Sequence, residues 1–169
     1  MIFGPSASGK STIANALGKK FGVPVHHLDR LCFLPNTFWV PRPVEEFQKL
    51  HEAAVNSREW IIDGNYTSLM ASRIARATAI IWLDPPAIGC IFRFYGRFFR
   101  KHRRQTPYAG LLEGADEKFT LVAIKHIIRH KMKRQFFLKL IGHFPAEKVF
   151  HMNSFEMIKD FCEKIGTEL

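Results

Sequence analysis

The stretch GPSASGKS, residues 4–11, constrains the fold and function of this 169-residue chain more than any other. It satisfies the pattern G-x-x-x-x-G-K-[S/T], in which glycines let the backbone wrap a phosphate with its N–H groups pointing inward. Such a glycine loop leads from a buried strand into the N-terminus of a helix, where partial positive charge favours an anion. The sequence therefore predicts a nucleotide-phosphate site at the start of an α/β fold.

The residues of the glycine loop have separate expected roles. Lys10 is expected to reach the β- and γ-phosphates of ATP, and Ser11 to offer its hydroxyl to Mg²⁺. A chance match to the pattern is the alternative, and the helical pattern of residues 11–21 argues against it. The other residues expected to bind the cofactor here are Gly4, Ser6, Ala7, Ser8, Gly9 and Thr12.

Strand and helix patterns alternate along the chain. The β-rich runs VPVHHLD, EWIIDGNY, ATAIIWLD and EKVFHM predict four strands in addition to residues 1–3. Helical patterns occupy residues 44–56, 68–77 and 155–165, and a pair of basic helices is expected within 88–139. This alternation predicts a parallel sheet with helices on both faces and ligands at the carboxyl ends of its strands.

Length, cysteine usage and charge narrow the class of protein. A chain of this length fits one domain, expected over residues 1–169. Its three cysteines lie far apart without metal-site spacing, and no apolar run suggests secretion or a membrane span, so a cytoplasmic protein is expected. The net charge of +10 predicts a polyanionic partner: a nucleotide, a nucleic acid or a membrane surface. Charge alone does not choose among them.

Two aspartates close strand patterns. Asp63 ends the run WIID and Asp29 ends VHHLD, so both carboxylates are expected at the sheet edge that carries the glycine loop. Asp63 is expected to hold Mg²⁺ or a metal-bound water, and Asp29 to orient a substrate hydroxyl or accept its proton. The structural alternative is that each caps the following turn or helix. His26 and His27 lie in the same strand pattern as Asp29 and are assigned no role.

The stretch IFRFYGRFFRKHRR, residues 91–104, carries a row of arginines along one helical face. They are Arg93, Arg97, Arg100 and Arg104. Guanidinium groups this close repel one another unless an anion neutralises them, and bidentate phosphate binding is their natural use. The alternative is a solvated face.

These features together resemble the adenylate-kinase-like P-loop kinases, and more closely the bacterial DNA topology modulation proteins, over nearly the whole chain. The motifs that carry the resemblance are the glycine loop, His27-Leu28-Asp29, Asp63-Gly64-Asn65-Tyr66 and Leu83-Asp84-Pro85-Pro86. The resemblance implies a P-loop NTPase fold with three layers, α/β/α, around a five-stranded parallel sheet in the order 2-3-1-4-5. It also implies a site for ATP and Mg²⁺, with the adenine near Asn153 and Ser154. Arg93 and Arg97 match two arginines of a lid, which places a lid-like helical segment at about residues 88–118.

The sequence departs from adenylate kinases on the side of the phosphoryl acceptor. Those enzymes carry Asp-Gly-Phe-Pro-Arg where this chain has DGNY at residues 63–66, so their arginine is missing and Arg73 is the nearest substitute. They also place Thr-Gly before the aspartate that corresponds to Asp29. The resemblance therefore applies to the ATP side and leaves the acceptor open.

The favoured hypothesis is an ATP-dependent kinase that transfers the γ-phosphoryl group to a small acceptor, a nucleotide or another hydroxyl or phosphate compound. The candidate catalytic residues are Lys10, Asp29, Asp63 and Arg97. Arg93 is a candidate for binding the cofactor, and Ser11 and Asp63 for holding the metal. The alternatives are a nucleic-acid-associated nucleotide-binding protein that modulates DNA topology, and a regulatory nucleotide-binding module without turnover. No Asn-Lys-x-Asp stretch occurs in the sequence, which favours ATP over GTP.

Overall fold

The structure, a computed structural model, describes residues 1–37, 40–104 and 121–168, apart from the side chains of 98–104 and 121–123. The strands are β1 (Ile2–Phe3), β2 (Val25–His27), β3 (Ile61–Asp63), β4 (Ile80–Leu83) and β5 (Val149–Met152). The helices are α1 (Lys10–Phe21), α2 (Leu28–Cys32), α3 (Val44–Asn56), α4 (Met70–Arg76), α5 (Ala87–Arg104), α6 (Leu121–Met132), α7 (Arg134–Ile141) and α8 (Phe155–Ile165). Short 3₁₀ helices, Thr67–Leu69 and Ala146–Lys148, precede α4 and β5. Within the described ranges, no helix combines the length and the apolar character needed to cross a bilayer.

The five strands form one parallel sheet in the order β2-β3-β1-β4-β5. This confirms the predicted fold class and strand order. β1 has only two residues, but it pairs on both sides, with Ile2 opposite Asp63 of β3 and Ile81 of β4. Because both neighbours bond to its backbone, this short strand directs the glycine loop to the carboxyl edge of the sheet.

Helices cover both faces of the sheet. Successive residues of a strand point to opposite faces. On one face, α1 and α8 pack against a cluster that includes Ile2 and Ile81. On the other face, α4 and α7 pack against Phe3 and Trp82, and α3 packs against Ile62. The result is the predicted three-layer arrangement, in which all five strands end at one edge.

Some element boundaries differ from the predicted ones. β2 ends at His27 because its partner β3 ends at Asp63, which pairs with His27. The sequence predicted that Asp29 ends this strand. In the structure it lies instead in the first turn of α2. The predicted pair of basic helices is three helices, α5, α6 and α7. Of the lid-like segment predicted at 88–118, residues 105–118 lie outside the described residues.

Besides His27, two described histidines are buried. His51 of α3 is 1% exposed and His130 of α6 is 6% exposed. Burial, reinforced by the charge of Arg73, lowers the pKa of His51 to about 4. Burial, reinforced by the charge of Lys10, lowers the pKa of His130 to about 3. Both groups titrate near about 6.5 when unfolded, so the unfolded chain binds more protons than the folded chain below that pH.

We therefore expect the free energy of unfolding to be highest above about pH 6.5 and to decrease as the pH falls towards about 4, by roughly 3 kcal/mol for each histidine. Urea unfolding at about pH 7 and about pH 4.5 measures this decrease. His51→Leu and His130→Leu should each flatten the pH dependence, whereas His126→Leu, at an exposed position, should leave it unchanged. An equally steep decrease in both buried-site variants would assign the acid sensitivity to other groups.

Candidate functional site

The path of the glycine loop, which connects β1 to α1, depends on two of its glycines. Gly4 has a φ of 154°, and a Cβ at this position would lie 2.4 Å from Leu83 O. Gly9 has a φ of 103° and caps the N-terminus of α1. A side chain at Gly4 would collide with the backbone at the end of β4, and one at Gly9 would strain the backbone. The spacing of the two glycines in the motif is thus required by this path.

The start of α1 offers backbone donors to an anion. Among the described residues no side chain caps the helix at Gly9, and its first turn contains no acidic residue. First-turn N–H groups have no partner within the helix itself, and the helix dipole adds partial positive charge there. The partly exposed residues of the loop and first turn are Ser6, Ala7, Gly9, Lys10, Ser11 and Thr12.

Ser8 contributes to the loop differently from its neighbours. Its residue is 0% exposed, and its Oγ has no hydrogen-bond partner among the described residues. Its backbone N–H donates to Pro5 O at 3.3 Å. A fully buried hydroxyl has no access to a ligand, so the predicted phosphate contact of Ser8 is not available to its side chain.

Lys10 folds back over the loop that precedes it. Its Nζ donates to Pro5 O at 2.8 Å, and the residue is partly exposed. Desolvation lowers the pKa of Lys10, while the carboxylates of Asp63 and Asp29 raise it. The ammonium group is therefore held beside the loop and close to both predicted carboxylates.

Asp63, the last residue of β3, meets Ser11 of α1 next to the glycine loop. Ser11 Oγ donates to Asp63 Oδ2 at 2.7 Å, and Asp63 is 4% exposed. Strand pairing brings the two residues into contact, because Asp63 pairs with Ile2 of the strand that leads into the loop. Hydroxyl and carboxylate oxygens are ligands that suit Mg²⁺. The chemistry of this pair therefore fits the predicted metal.

His27 binds the same carboxylate, although the sequence assigned it no role. Its Nδ1 lies 2.6 Å from Asp63 Oδ1, and its Nε2 lies 3.2 Å from Asn15 Oδ1. Since an ionised carboxylate only accepts hydrogen bonds, Nδ1 of His27 carries a proton and its N–H donates to Asp63 Oδ1. Ser11 and Asn15 both belong to α1, so the four side chains form a closed set of contacts between α1, β2 and β3. We call this set the Asp63 network.

Arg73 lies beneath the loop after β3 and does not replace the missing acceptor arginine. It is 0% exposed, and its guanidinium donates to the carbonyls of Gly64, Asn65 and Tyr66 at 2.9, 2.7 and 3.2 Å. Burial lowers the pKa of Arg73 to about 10, and the nearby Asp63 opposes this shift. A guanidinium without solvent access cannot touch an acceptor. Its donors instead satisfy carbonyls of a segment that belongs to no helix or strand.

The motif DGNY connects the glycine loop to Asp29. Asn65 Oδ1 accepts from Gly4 N at 3.1 Å, and Tyr66 OH donates to Asp29 Oδ1 at 3.0 Å. Asp29 is exposed; desolvation of its carboxylate raises its pKa, and the charge of Lys10 opposes that rise. Asp29 and Asp63 therefore lie on the same edge of the sheet, as predicted, although Asp29 reaches it from α2.

Two arginines of α5 lie at the loop. Arg93 Nε donates to Ala7 O at 3.2 Å, and its guanidinium lies 5.2 Å from the ring centre of Phe155, the first residue of α8. Arg97 lies over the ring of Phe94, and its charge lowers the pKa of Lys10. The side chains of the outer arginines predicted on this face, at positions 100 and 104, lie outside the described residues.

Asp84, which follows β4, joins three basic side chains that sequence reasoning did not connect. Its carboxylate contacts Lys131 Nζ, Arg134 Nε at 3.0 Å and His151 Nε2 at 3.3 Å. Although burial opposes the shift, hydrogen bonds from Lys131 and Arg134 hold the pKa of Asp84 below its usual range. The ring of His151 also stacks on Trp82 at 3.9 Å. This cluster fixes α6 and α7 to the ends of β4 and β5.

The described residues define a three-layer α/β protein with a glycine-rich loop at the end of β1. No protein-family profile and no curated protein sequence matches the chain. Among solved structures, the chain is similar to a protein from Chloroflexus aurantiacus J-10-fl described as a "putative kinase". That similarity has 13% sequence identity, covers 96% of each chain and has a TM-score of 0.47.

Proposed function

We propose that the protein is an ATP-dependent kinase that transfers the γ-phosphoryl group of Mg·ATP to a small acceptor. The contact between Ser11 Oγ and Asp63 Oδ2, at 2.7 Å beside the glycine loop, carries this proposal. It joins the two oxygen ligands expected for a phosphate-bound Mg²⁺ at the end of an uncapped helix. When bound, Mg²⁺ would neutralise charge on the phosphates.

The side chains around this contact divide the remaining tasks. The loop and the first turn of α1 bind the phosphates through backbone N–H groups, and Lys10 supplies a cation beside them. Arg93 and Arg97 approach the loop from α5 and stabilise the charge of the phosphates. Positioning and electrostatic stabilisation supply most of the rate in such a transfer.

An acceptor screen tests the proposal. Purified protein with Mg·ATP is incubated with candidate small molecules, and ADP formation is measured against a reaction without acceptor. We expect one class of compound to raise ADP formation, and Asp63→Asn to abolish the increase. Asp160→Asn, an exposed aspartate of α8, serves as the matched control.

If no compound raises ADP formation, calorimetry with Mg·ATP tests whether the protein binds the nucleotide at all. A wild-type protein that does not bind Mg·ATP would refute the proposal. Salt-dependent binding to duplex DNA, with ATP bound but not consumed, would instead support the nucleic-acid-associated alternative.

His27 is expected to strengthen metal-dependent nucleotide binding because it orients Asp63. Groups that hold a metal ligand in place affect metal affinity by about 10–100-fold. We expect His27→Ala to weaken ATP binding by about tenfold in Mg²⁺ and to leave binding in EDTA unchanged. His26→Ala, on the neighbouring position of β2, should leave both affinities unchanged because its side chain points to the opposite face. Calorimetric titrations in the two buffers measure both affinities. An equal loss of ATP affinity with Mg²⁺ and with EDTA would show that the role of His27 is structural.

A further inference from the structure

We propose that the phosphoryl acceptor is a neutral compound with an alcohol hydroxyl, and that Asp29 accepts the proton of that hydroxyl. This inference rests on the proposed kinase function and specifies the acceptor side of the same site. Compounds such as nucleosides and sugars are therefore expected to act as acceptors, and their phosphate esters are not.

The carboxylate of Asp29 has one oxygen engaged and one open. Tyr66 OH donates to Oδ1 at 3.0 Å, and no other hydrogen bond to this carboxylate occurs among the residues that the structure describes. The residue is exposed, yet desolvation of its carboxylate raises the pKa of Asp29; the charge of Lys10 opposes that rise and the charge of Asp63 adds to it. The open Oδ2 therefore belongs to the region where the phosphoryl group is proposed to transfer.

The chemistry of a carboxylate selects its partner. An ionised carboxylate has only acceptor sites, so the group that binds Asp29 Oδ2 must donate a hydrogen bond. An alcohol donates one and keeps lone pairs for attack on phosphorus. An ionised phosphate offers only acceptors and carries like charge, and a protonated amine donates but has no lone pair. A hydroxyl is the acceptor group that satisfies both requirements.

A phosphate acceptor would require cations on this side of the site. Asp29 and Asp63 already place two carboxylates there, and ATP brings further negative charge. Arg73 is 0% exposed and cannot reach a ligand. Arg42, after α2, is paired with Glu46. With Lys10 assigned to the phosphates of ATP, the two carboxylates described on this side disfavour a second phosphate and favour a neutral compound.

The proposed transfer forms one bond to phosphorus and breaks another. The hydroxyl oxygen forms a bond to the γ-phosphorus of ATP, and the bond from that phosphorus to the β–γ bridging oxygen breaks. The electron pair of the broken bond stays on ADP, and the hydroxyl proton moves to Asp29 Oδ2. The products are a phosphate monoester, ADP and a proton, which Asp29 releases to solvent.

Matched acceptor pairs test the inference. Nucleosides are compared with their 5′-monophosphates, and hexoses with hexose 6-phosphates, using wild-type protein and γ-labelled Mg·ATP. We expect label to pass to a compound without phosphate and not to its phosphorylated partner. Label on a monophosphate but not on its unphosphorylated partner would overturn the acceptor class while leaving the kinase assignment intact.

A binding measurement decides the acceptor class even if no compound in the panel reacts. Protein saturated with Mg·AMP-PNP is titrated with inorganic phosphate and with nucleoside 5′-monophosphates. We expect no saturable second binding event for either probe, and such an event would overturn the proposal. If Mg·AMP-PNP itself does not bind, the proposed kinase function fails, and the acceptor class fails with it.

Substitution of Asp29 is expected to lower kcat for the hydroxyl acceptor far more than it changes KM. Asp29→Asn should lower kcat for the hydroxyl acceptor by about 10²–10⁴-fold and change its KM by only a few fold. Tyr66→Phe removes the donor to Oδ1 and leaves Oδ2 in place, so kcat should decrease by about tenfold or less. An Asp29→Asn variant with normal kcat would exclude Asp29 as the proton acceptor.

Discussion

Replacement of Lys10 by alanine is expected to abolish Mg·ATP turnover, or to reduce it by at least about 10²–10³-fold, the loss found when one preorganised charge-stabilising donor is removed. The ammonium group lies beside the glycine loop, whose backbone N–H groups are the other donors proposed for the phosphates. The loss should appear as weaker Mg·ATP binding, as lower turnover or as both.

The fold should survive this substitution. Lys10 is partly exposed, and its Nζ makes one described hydrogen bond, to Pro5 O, which is worth about 0.5–1.5 kcal/mol. Calorimetry gives the affinity for Mg·ATP, and thermal unfolding gives the stability. Lys19→Ala, at an exposed position of the same helix, is the matched control. A folded Lys10→Ala protein with wild-type affinity and turnover would eliminate the kinase proposal.

Arg97 is expected to matter most among the arginines of α5. An arginine that neutralises transferring phosphoryl charge is worth about 10³-fold or more in turnover, so Arg97→Ala should lower kcat by that order. Arg93 contacts the carbonyl of Ala7 in the loop. Arg93→Ala should therefore weaken ATP binding, by about 10–100-fold if one charge-assisted bond is lost.

The two outer arginines provide internal controls. Arg100→Ala and Arg104→Ala should change both constants only mildly, because screened charge contributes little at a distance of one to two helical turns, about 5–11 Å. Steady-state kinetics and DNA titrations on all four single variants separate the alternatives. The nucleic-acid hypothesis predicts four similar losses of DNA affinity, each lowering the salt slope by about one, with ATP handling unchanged. Equal ATP kinetics in all four variants would contradict the lid assignment.

The sequence predicted the parts of the site that local patterns determine. The glycine spacing and the apolar run before Asp63 are both local, and the sheet brings Asp63 within 2.7 Å of Ser11. Helices α3 and α8 have the predicted bounds, Val44–Asn56 and Phe155–Ile165, because their hydrophobic periodicity ends at clear turn or cap residues.

The parts that were missed depend on contacts between distant segments. His27 binds Asp63 because the two residues are paired in neighbouring strands, and that register is not visible in the sequence. The partners of Asp84 come from α6, α7 and β5, at separations of 47, 50 and 67 residues. A buried aspartate after a fully apolar strand does signal that basic partners exist, but not which ones they are.

Arg73 was misinterpreted for a related reason. Spacing shows that it follows the DGNY motif, but not whether its side chain points to the ligand or to the core. The segment 64–66 needs donors for its carbonyls, and a planar guanidinium with five N–H groups supplies them from one position. Backbone demand for hydrogen bonds is the signal that would have identified this role.

The Asp63 network also limits how the molecule can move. Its hydrogen bonds start and end on α1 and pass through β2 and β3, so any change in the spacing of these elements would break at least one of them. Leaving either of its two buried members, Asp63 or His27, unpaired costs about 1–3 kcal/mol. The helix that follows the glycine loop and the strand that leads to Asp29 are therefore expected to move together. If the proposed kinase closes around its substrates, the hinge is therefore expected outside these elements.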